Sequence, residues 1–231
     1  MASFKSGESL KRIEMLKEKI TIDSANKEIV ILVMSGNIKA GDLTLTRKNI
    51  FSDNPAGIVV ANSGKVTLES IDYSEICVVQ AKSKNVLPIS KLQKETFLSQ
   101  MVGKSNFCRS VTKIAGKETG LKSIIVGETI KEKGNWSSWP PHKHDESQDN
   151  KETKQKEIYL YKFDKTDGFG VQIIYNAKIE ECHLVKNNSE ILIEKGYHPV
   201  VSSPHSRMYY FWALFGDNKK FLVNFDERFL K

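Results

Sequence analysis

Three histidines and one glutamate carry the chemistry that this sequence offers. His142 and His144 stand one residue apart, directly after Pro140-Pro141. Two prolines remove two backbone donors and hold the chain extended. In an extended chain residues i and i+2 share a face, roughly 6–7 Å apart along the strand. The two imidazoles can therefore converge on a single ion. Glu157 opens the run Glu157-Ile158-Tyr159-Leu160-Tyr161, and His198 lies in Gly196-Tyr197-His198-Pro199. Neutral imidazoles with one carboxylate suit zinc, manganese, iron or nickel, and so few protein ligands leave room for water or substrate. The expectation is one divalent metal ion held by His142, His144, Glu157 and His198, with zinc first and manganese, iron or nickel as alternatives. A lone His-x-His says little; followed by Glu at a strand start and His after a Gly turn, it says much more.

The elements that must position these groups read as β-strands. Ile29 to Met34 is a short apolar run ended by Ser35-Gly36-Asn37, and Leu43 to Thr46 alternates. Ile58-Val59-Val60 stops at Asn62-Ser63-Gly64, Lys65 to Glu69 restarts with period two, and Ile76 to Gln80 follows. Short strands separated by Gly and Asn turns argue for an all-β sandwich or barrel. Residues 9–19 fit a short helix or a strand equally. Residues 83–107 are less regular, with a short helix or a loop over 91–98. A second β-set begins at Leu121. Within it, alternation puts Glu157, Tyr159, Tyr161 and Phe163 on one face. Asp145 to Lys156 has no apolar residue and reads as an exposed, mobile loop. Thr166-Asp167-Gly168 is a hairpin signal, and the aromatic strand Met208 to Phe215 ends at Gly216-Asp217-Asn218.

The words Gly134 to Asp145, Gly168-Phe169-Gly170-Val171-Gln172 and Gly196-Tyr197-His198-Pro199-Val200 closely resemble the 5-deoxy-glucuronate isomerases of inositol catabolism. That family is related to 5-keto-4-deoxyuronate isomerase and belongs to the cupin superfamily. The resemblance covers nearly the whole chain and is dense from Asn106 to Gly216. It implies a bicupin, two jelly-roll β-barrels in one chain: residues 1–84 a barrel without a metal site, 85–120 a connection, and 121–231 the barrel with the metal. It also implies an aldose–ketose isomerase acting on a small anionic sugar acid. Arg109, in Asn106-Phe107-Cys108-Arg109, is a candidate for the substrate carboxylate, because its planar fork matches that group bidentately. Gln172 and Tyr210 are further substrate-binding candidates, and Glu157 and Tyr161 the catalytic ones. The proton-transfer group stays open between Glu157, a tyrosine and a hydroxide at the metal. Another uronate as substrate, or a sugar-acid-binding cupin without catalysis, are the competing readings. His205 stands where the family usually has Gly, which puts that loop's role in question.

Composition narrows the classes. Of 231 residues, 39% are hydrophobic and 27% charged, the balance of a globular domain. No apolar run reaches the roughly 18 residues of a membrane helix, and the first residues lack the apolar core of a signal peptide. Cys77, Cys108 and Cys182 are scattered and odd in number, which suits reduced thiols in a cytoplasm. The net charge of +7 is spread along the chain, without the basic stripe of a nucleic-acid protein. The expectation is no nucleic-acid and no membrane partner, with a homo-oligomer compatible. His183 and His205, each lone, are assigned to the surface or to structure, and Lys143 should point away from the metal.

Overall fold

The computed structural model describes residues 1–216 and 221–230. Almost every ordered element is a strand, and the helical ones are single 3-10 turns. The chain divides into two compact units, one of Met1–Phe97 with Ile114–Ile125, the other of Leu98–Lys113 with Val126–Lys231. Among the described residues no helix is long and apolar enough to cross a membrane.

The first unit is built around the strand Lys27–Ala40. Its first half pairs with Ala56–Ala61 and Tyr73–Lys82, its second half with Leu43–Arg47 and Lys65–Ser70. The register shifts between Val33 and Ser35, and Gly36 takes φ 97°. A side chain at Gly36 would run into Ser74 and the Tyr73 carbonyl, so this bend needs glycine. The bend lets Ile29, Ile31 and Val33 from one half meet Ile38 and Ala40 from the other in a single core with Leu45, Ile58 and Leu68. Ser9–Leu16 is a strand paired with Tyr73–Lys82. Its ambiguous spacing is resolved by Leu10 and Met15, which are buried.

The second unit has a six-stranded sheet in the order Leu98–Val102, Arg109–Ala115, Ile124–Lys131, Met208–Phe215, Lys156–Phe163, Glu190–Ile193. A four-stranded sheet runs Trp136–Ser137, Val200–Ser202, Phe169–Tyr175, Glu180–Lys186. Tyr159, Tyr161, Phe163, Met208 and Tyr210 from the first share one core with Ile174, Val185 and Val200 from the second. The face predicted for Tyr159, Tyr161 and Phe163 is thus the core face.

One reading is corrected here. Thr166-Asp167-Gly168 closes no hairpin: the strands it joins, Lys156–Phe163 and Phe169–Tyr175, lie in different sheets. Gly168 packs so closely on Phe163 that a Cβ would overlap its ring, and that contact turns the chain from one sheet to the other. The span 85–120 carries the strands Leu87–Lys91, Leu98–Val102 and Arg109–Ala115, with a 3-10 turn at Lys94–Thr96 within the stretch expected as a short helix or a loop. Its exposed strands, such as Leu98–Val102 at a sheet edge, lack a buried face to give them a period. Of the turn expected at Gly216-Asp217-Asn218, Asp217 and Asn218 lie outside the described residues.

Candidate metal centre

The ligand segments come from separate elements. His142 sits on the two-residue strand His142–Lys143, opposite Phe225. His144 follows, and its carbonyl accepts from the Gln155 N–H at 2.8 Å. Glu157 is near the start of Lys156–Phe163, between Ile193 and Leu214. His198 is delivered by a turn in which Gly196 takes φ 89° and Tyr197 bonds Tyr175 through both backbone groups. A Cβ on Gly196 would press on the Tyr175 carbonyl.

These segments bring the ligand nitrogens of His142, His144 and His198 within 4.8 Å of one another. Glu157 Oε2 lies 3.1 Å from His144 Nε2 and 3.4 Å from His198 Nε2. The outer nitrogens are all tied to backbone carbonyls. His144 Nδ1 is 2.9 Å from the Gln155 carbonyl, His198 Nδ1 is 3.0 Å from that of Gly196, and the His142 ring bonds that of Pro140. A carbonyl can only accept, so the nitrogen bonded to it carries the proton, and in the neutral ring of His198 the opposite nitrogen, Nε2, presents a lone pair inward. His198 Nε2 is fully buried and has no hydrogen-bond partner. His144 Nε2 can give Glu157 a proton at 3.1 Å, but the buried Nε2 of His198 meets no donor beside that carboxylate, an arrangement that a cation relieves. The donor set therefore fits a divalent metal, and the His triad can hold one.

The electrostatics agree. Burial, then the charges of His142 and His144, push the His198 imidazole down to about 3. Burial also lowers His142, helped by His144 and Arg109. Burial works against the charged form of His144 too, but the Glu157 carboxylate and the Gln155 carbonyl outweigh it and raise that ring. A proton on His144 is the simplest substitute for a metal charge at that spot.

The 145–156 loop is anchored rather than free. Lys143 points away from the histidines and places its ammonium 2.7 Å from Asp145 and 3.1 Å from Glu152. Glu152 is buried and accepts the backbone N–H of Asp145 at 2.6 Å and of Glu146 at 2.8 Å. Asp145 in turn accepts the Gly196 N–H at 2.8 Å. Burial opposes the charge on Lys143, yet Asp145 and Glu152 hold it above its usual value. This ion cluster joins the His-x-His segment to the His198 turn. Glu146 to Lys151 are exposed, as the composition predicts; what composition does not show is that paired charges anchor the ends of the loop.

A cavity of about 130 Å³ opens beside the cluster, with His142 and Glu157 at one side and Arg109, Thr129, Ser137, Ser138, Tyr159 and Tyr210 around it. Val111, Trp212, Leu214 and Phe221 complete the lining. Arg109 is buried; its Nη1 donates to the carbonyls of Phe107 at 3.0 Å and Trp139 at 3.1 Å, while its Nε has no partner. Tyr210 shares a 2.5 Å hydrogen bond with Ser137, and Ser138 lies 3.4 Å from the Tyr159 hydroxyl. Arg109, Tyr210 and Glu157 are thus brought together at the cavity. Tyr161 and Gln172 are not. Both are fully buried behind it: Tyr161 donates to Gln172 Oε1 at 2.5 Å, and Gln172 Nε2 donates to the carbonyls of His198 and Pro199 at 2.9 and 3.1 Å. In place of touching a ligand they brace the loop that carries His198. Strand alternation put Tyr161 on the right face but could not say how deep it lies. Ser137 and Ser138 escaped notice although they sit inside the Gly134-to-Asp145 word; small hydroxyls carry no spacing signal. His183 and His205 are surface residues paired with Glu181 and Asp167.

The 5-deoxy-glucuronate isomerase of Halalkalibacterium halodurans is 30% identical over 204 residues, 84% of this chain and 76% of the relative. That of Bacillus licheniformis is 28% identical over 212 residues, 87% of this chain and 78% of the relative. In fold, an IolB-like protein of Salmonella typhimurium superposes with a TM-score of 0.88 at 24% identity, covering 97% of this chain and 88% of that one. An oxalate decarboxylase of Lactobacillus farciminis does so at 0.65 and 8% identity, covering 95% and 80%. The sequence profile that matches residues 8–231 settles the family: this chain belongs to the KduI/IolB family.

Proposed function

We propose that this protein is a metal-dependent aldose–ketose isomerase that converts 5-deoxy-glucuronate to 5-dehydro-2-deoxy-gluconate. The observation that carries the reading is the inward-facing set of His142, His144, His198 and Glu157, with the partnerless Nε2 of His198 at its centre. The relatives named for this reaction supply the substrate. The fold would be a bicupin, with residues 1–84 as a barrel of structural role and the metal in the C-terminal barrel. A divalent metal at this set would polarise adjacent hydroxyl and carbonyl oxygens and stabilise an enediolate.

The chain's own residues do the rest. Arg109 lacks a carboxylate partner among the described residues and faces the cavity, so it receives the substrate carboxylate. The Tyr210–Ser137 pair and Ser138 offer hydroxyls to the sugar. The reaction takes a proton from the hydroxyl-bearing carbon and returns one to the neighbouring carbonyl carbon, while the hydroxyl proton passes to the former carbonyl oxygen, with no external oxidant. Glu157 lines the cavity and is the proton carrier nearest the ligand nitrogens. Tyr161 is excluded from that role by its depth, and Tyr159, whose phenol is pushed well up by burial and by Glu157, serves as a donor rather than a base. His205 does not line the cavity, so the departure at that loop gives little support to a different uronate. A coupled assay over a panel of uronates tests the reading. Turnover of another uronate with none of 5-deoxy-glucuronate rejects the substrate, and tight sugar-acid binding without product favours a non-catalytic cupin.

A further inference from the structure

Four lysines of the first unit gather around one basin. A cavity of about 690 Å³ is lined by Lys27, Lys82, Lys84 and Lys122, with Asn26, Ser83, Asn85 and Ser123 as the main polar neighbours. No carboxylate lines it. None of the four ammonium groups has an ion-pair partner among the described residues.

The backbone under these lysines is fixed by a single buried acid. Glu28 is fully buried. Its Oε1 accepts the Ser83 hydroxyl at 3.2 Å, the Asn85 amide at 3.0 Å and the Lys122 N–H at 2.8 Å, and its Oε2 accepts the Ser123 N–H at 2.8 Å. Asn85 reaches on to the Gly120 carbonyl at 2.8 Å, and Asn62 holds the carbonyls of Ser83 and Asn85 at 2.9 and 2.6 Å. Three separate segments, around residues 27, 83 and 122, are thereby knotted together. Glu28 spends its hydrogen bonds on this knot, and no lysine ammonium is among its partners there. A concave surface of one sign focuses its field and concentrates counter-ions. Because the chain is already in place, an anion arriving there need order only lysine side chains.

We propose that this basin binds a small phosphorylated anion, with two linked phosphate groups spanning the lysines. Lysine serves phosphate as a point charge with three donors, and the cavity is wide enough for more than a single phosphate. Asn26 and Ser83 supply polar neighbours without adding negative charge. This site is independent of the isomerase reading, since every residue in it belongs to the first unit.

The test uses the full chain and inorganic pyrophosphate as probe, with binding followed by calorimetry at low salt. The paired variants Lys27→Gln with Lys84→Gln, and Lys82→Gln with Lys122→Gln, should each weaken pyrophosphate by at least about tenfold, the loss of one charge-assisted contact. Lys162→Gln with Lys178→Gln, two lysines of the other unit, should leave it unchanged. Thermal melts of all three confirm folding. Absence of pyrophosphate binding overturns the proposal, and so does equal weakening in the control pair, which would mean diffuse attraction to the whole basic surface. Binding of a single-stranded oligonucleotide that pyrophosphate does not displace would also overturn it.

Discussion

Replacing Arg109 by Ala removes the one guanidinium that faces the candidate site. Two effects follow, and they can be separated. The first is structural: the carbonyls of Phe107 and Trp139 lose a charged donor at 3.0 and 3.1 Å. Leaving such groups unsatisfied costs about 1–3 kcal/mol of stability. The second is functional: a substrate carboxylate loses its directional partner, worth about 1.5–3 kcal/mol for a charge-assisted pair. At about 1.4 kcal/mol per tenfold, that is a rise in KM of about 10- to 150-fold. Arg109→Lys should recover only part of either, because an ammonium on a shorter stem cannot hold both carbonyls and still present a fork. Steady-state kinetics with 5-deoxy-glucuronate, thermal melts and metal analysis on the same preparations separate the effects. Metal content should stay at the wild-type level in both variants. Wild-type KM in both, with a lowered melting temperature, would refute the carboxylate role and leave Arg109 a purely structural arginine.

Other expectations follow from the same geometry. A Cβ on Gly127 would overlap the indole of Trp212, so Gly127→Ala should cost about 1–3 kcal/mol by overpacking and shift KM as Trp212 moves at the cavity wall; an unchanged melt and KM would show that the indole has free space. Tyr161→Phe removes the 2.5 Å bond to Gln172 and should lower stability by about 1 kcal/mol and weaken metal binding, with KM little altered; a large KM change with normal metal affinity would return Tyr161 to the substrate. For the metal-free protein, His198 is held at about 3 by burial, below its unfolded value of about 6.5. The unfolded chain therefore takes up a proton that the folded chain refuses. Stability should fall as pH drops from about 6.5 towards 3, by up to about 1.4 kcal/mol per pH unit for this ring. Denaturant titrations of His198→Gln should show a shallower acid slope, and an identical slope would remove His198 as its source.

How far the sequence reads depends on what each position is asked to do. The candidate ligand cluster was legible because a metal demands particular atom types at a common point, and His142, His144, Glu157 and His198 carry that demand in type and spacing. The strand around Ile29 was legible because burial on both faces leaves a continuous apolar run bounded by turn residues, and that around Tyr159 because its aromatic residues alternate. Depth was not: Tyr161 and Tyr159 alternate identically, yet only Tyr159 reaches the cavity. Sheet membership was not either, since Gly168 looks like a hairpin glycine and serves a passage between sheets. The anchoring of the loop at Asp145 and Glu152 was not legible for a third reason. Its order comes from paired charges meeting across separate segments, at Lys143 and Gly196, and pairing across distance leaves no local pattern.

The central claim is that His142, His144, Glu157 and His198 share one divalent metal. Elemental analysis of purified wild-type, His142→Ala and His198→Ala protein tests it most directly. The account predicts about one equivalent of a single divalent metal in the wild type and its loss from both variants, with folding retained by circular dichroism. Full metal content in both variants would contradict it.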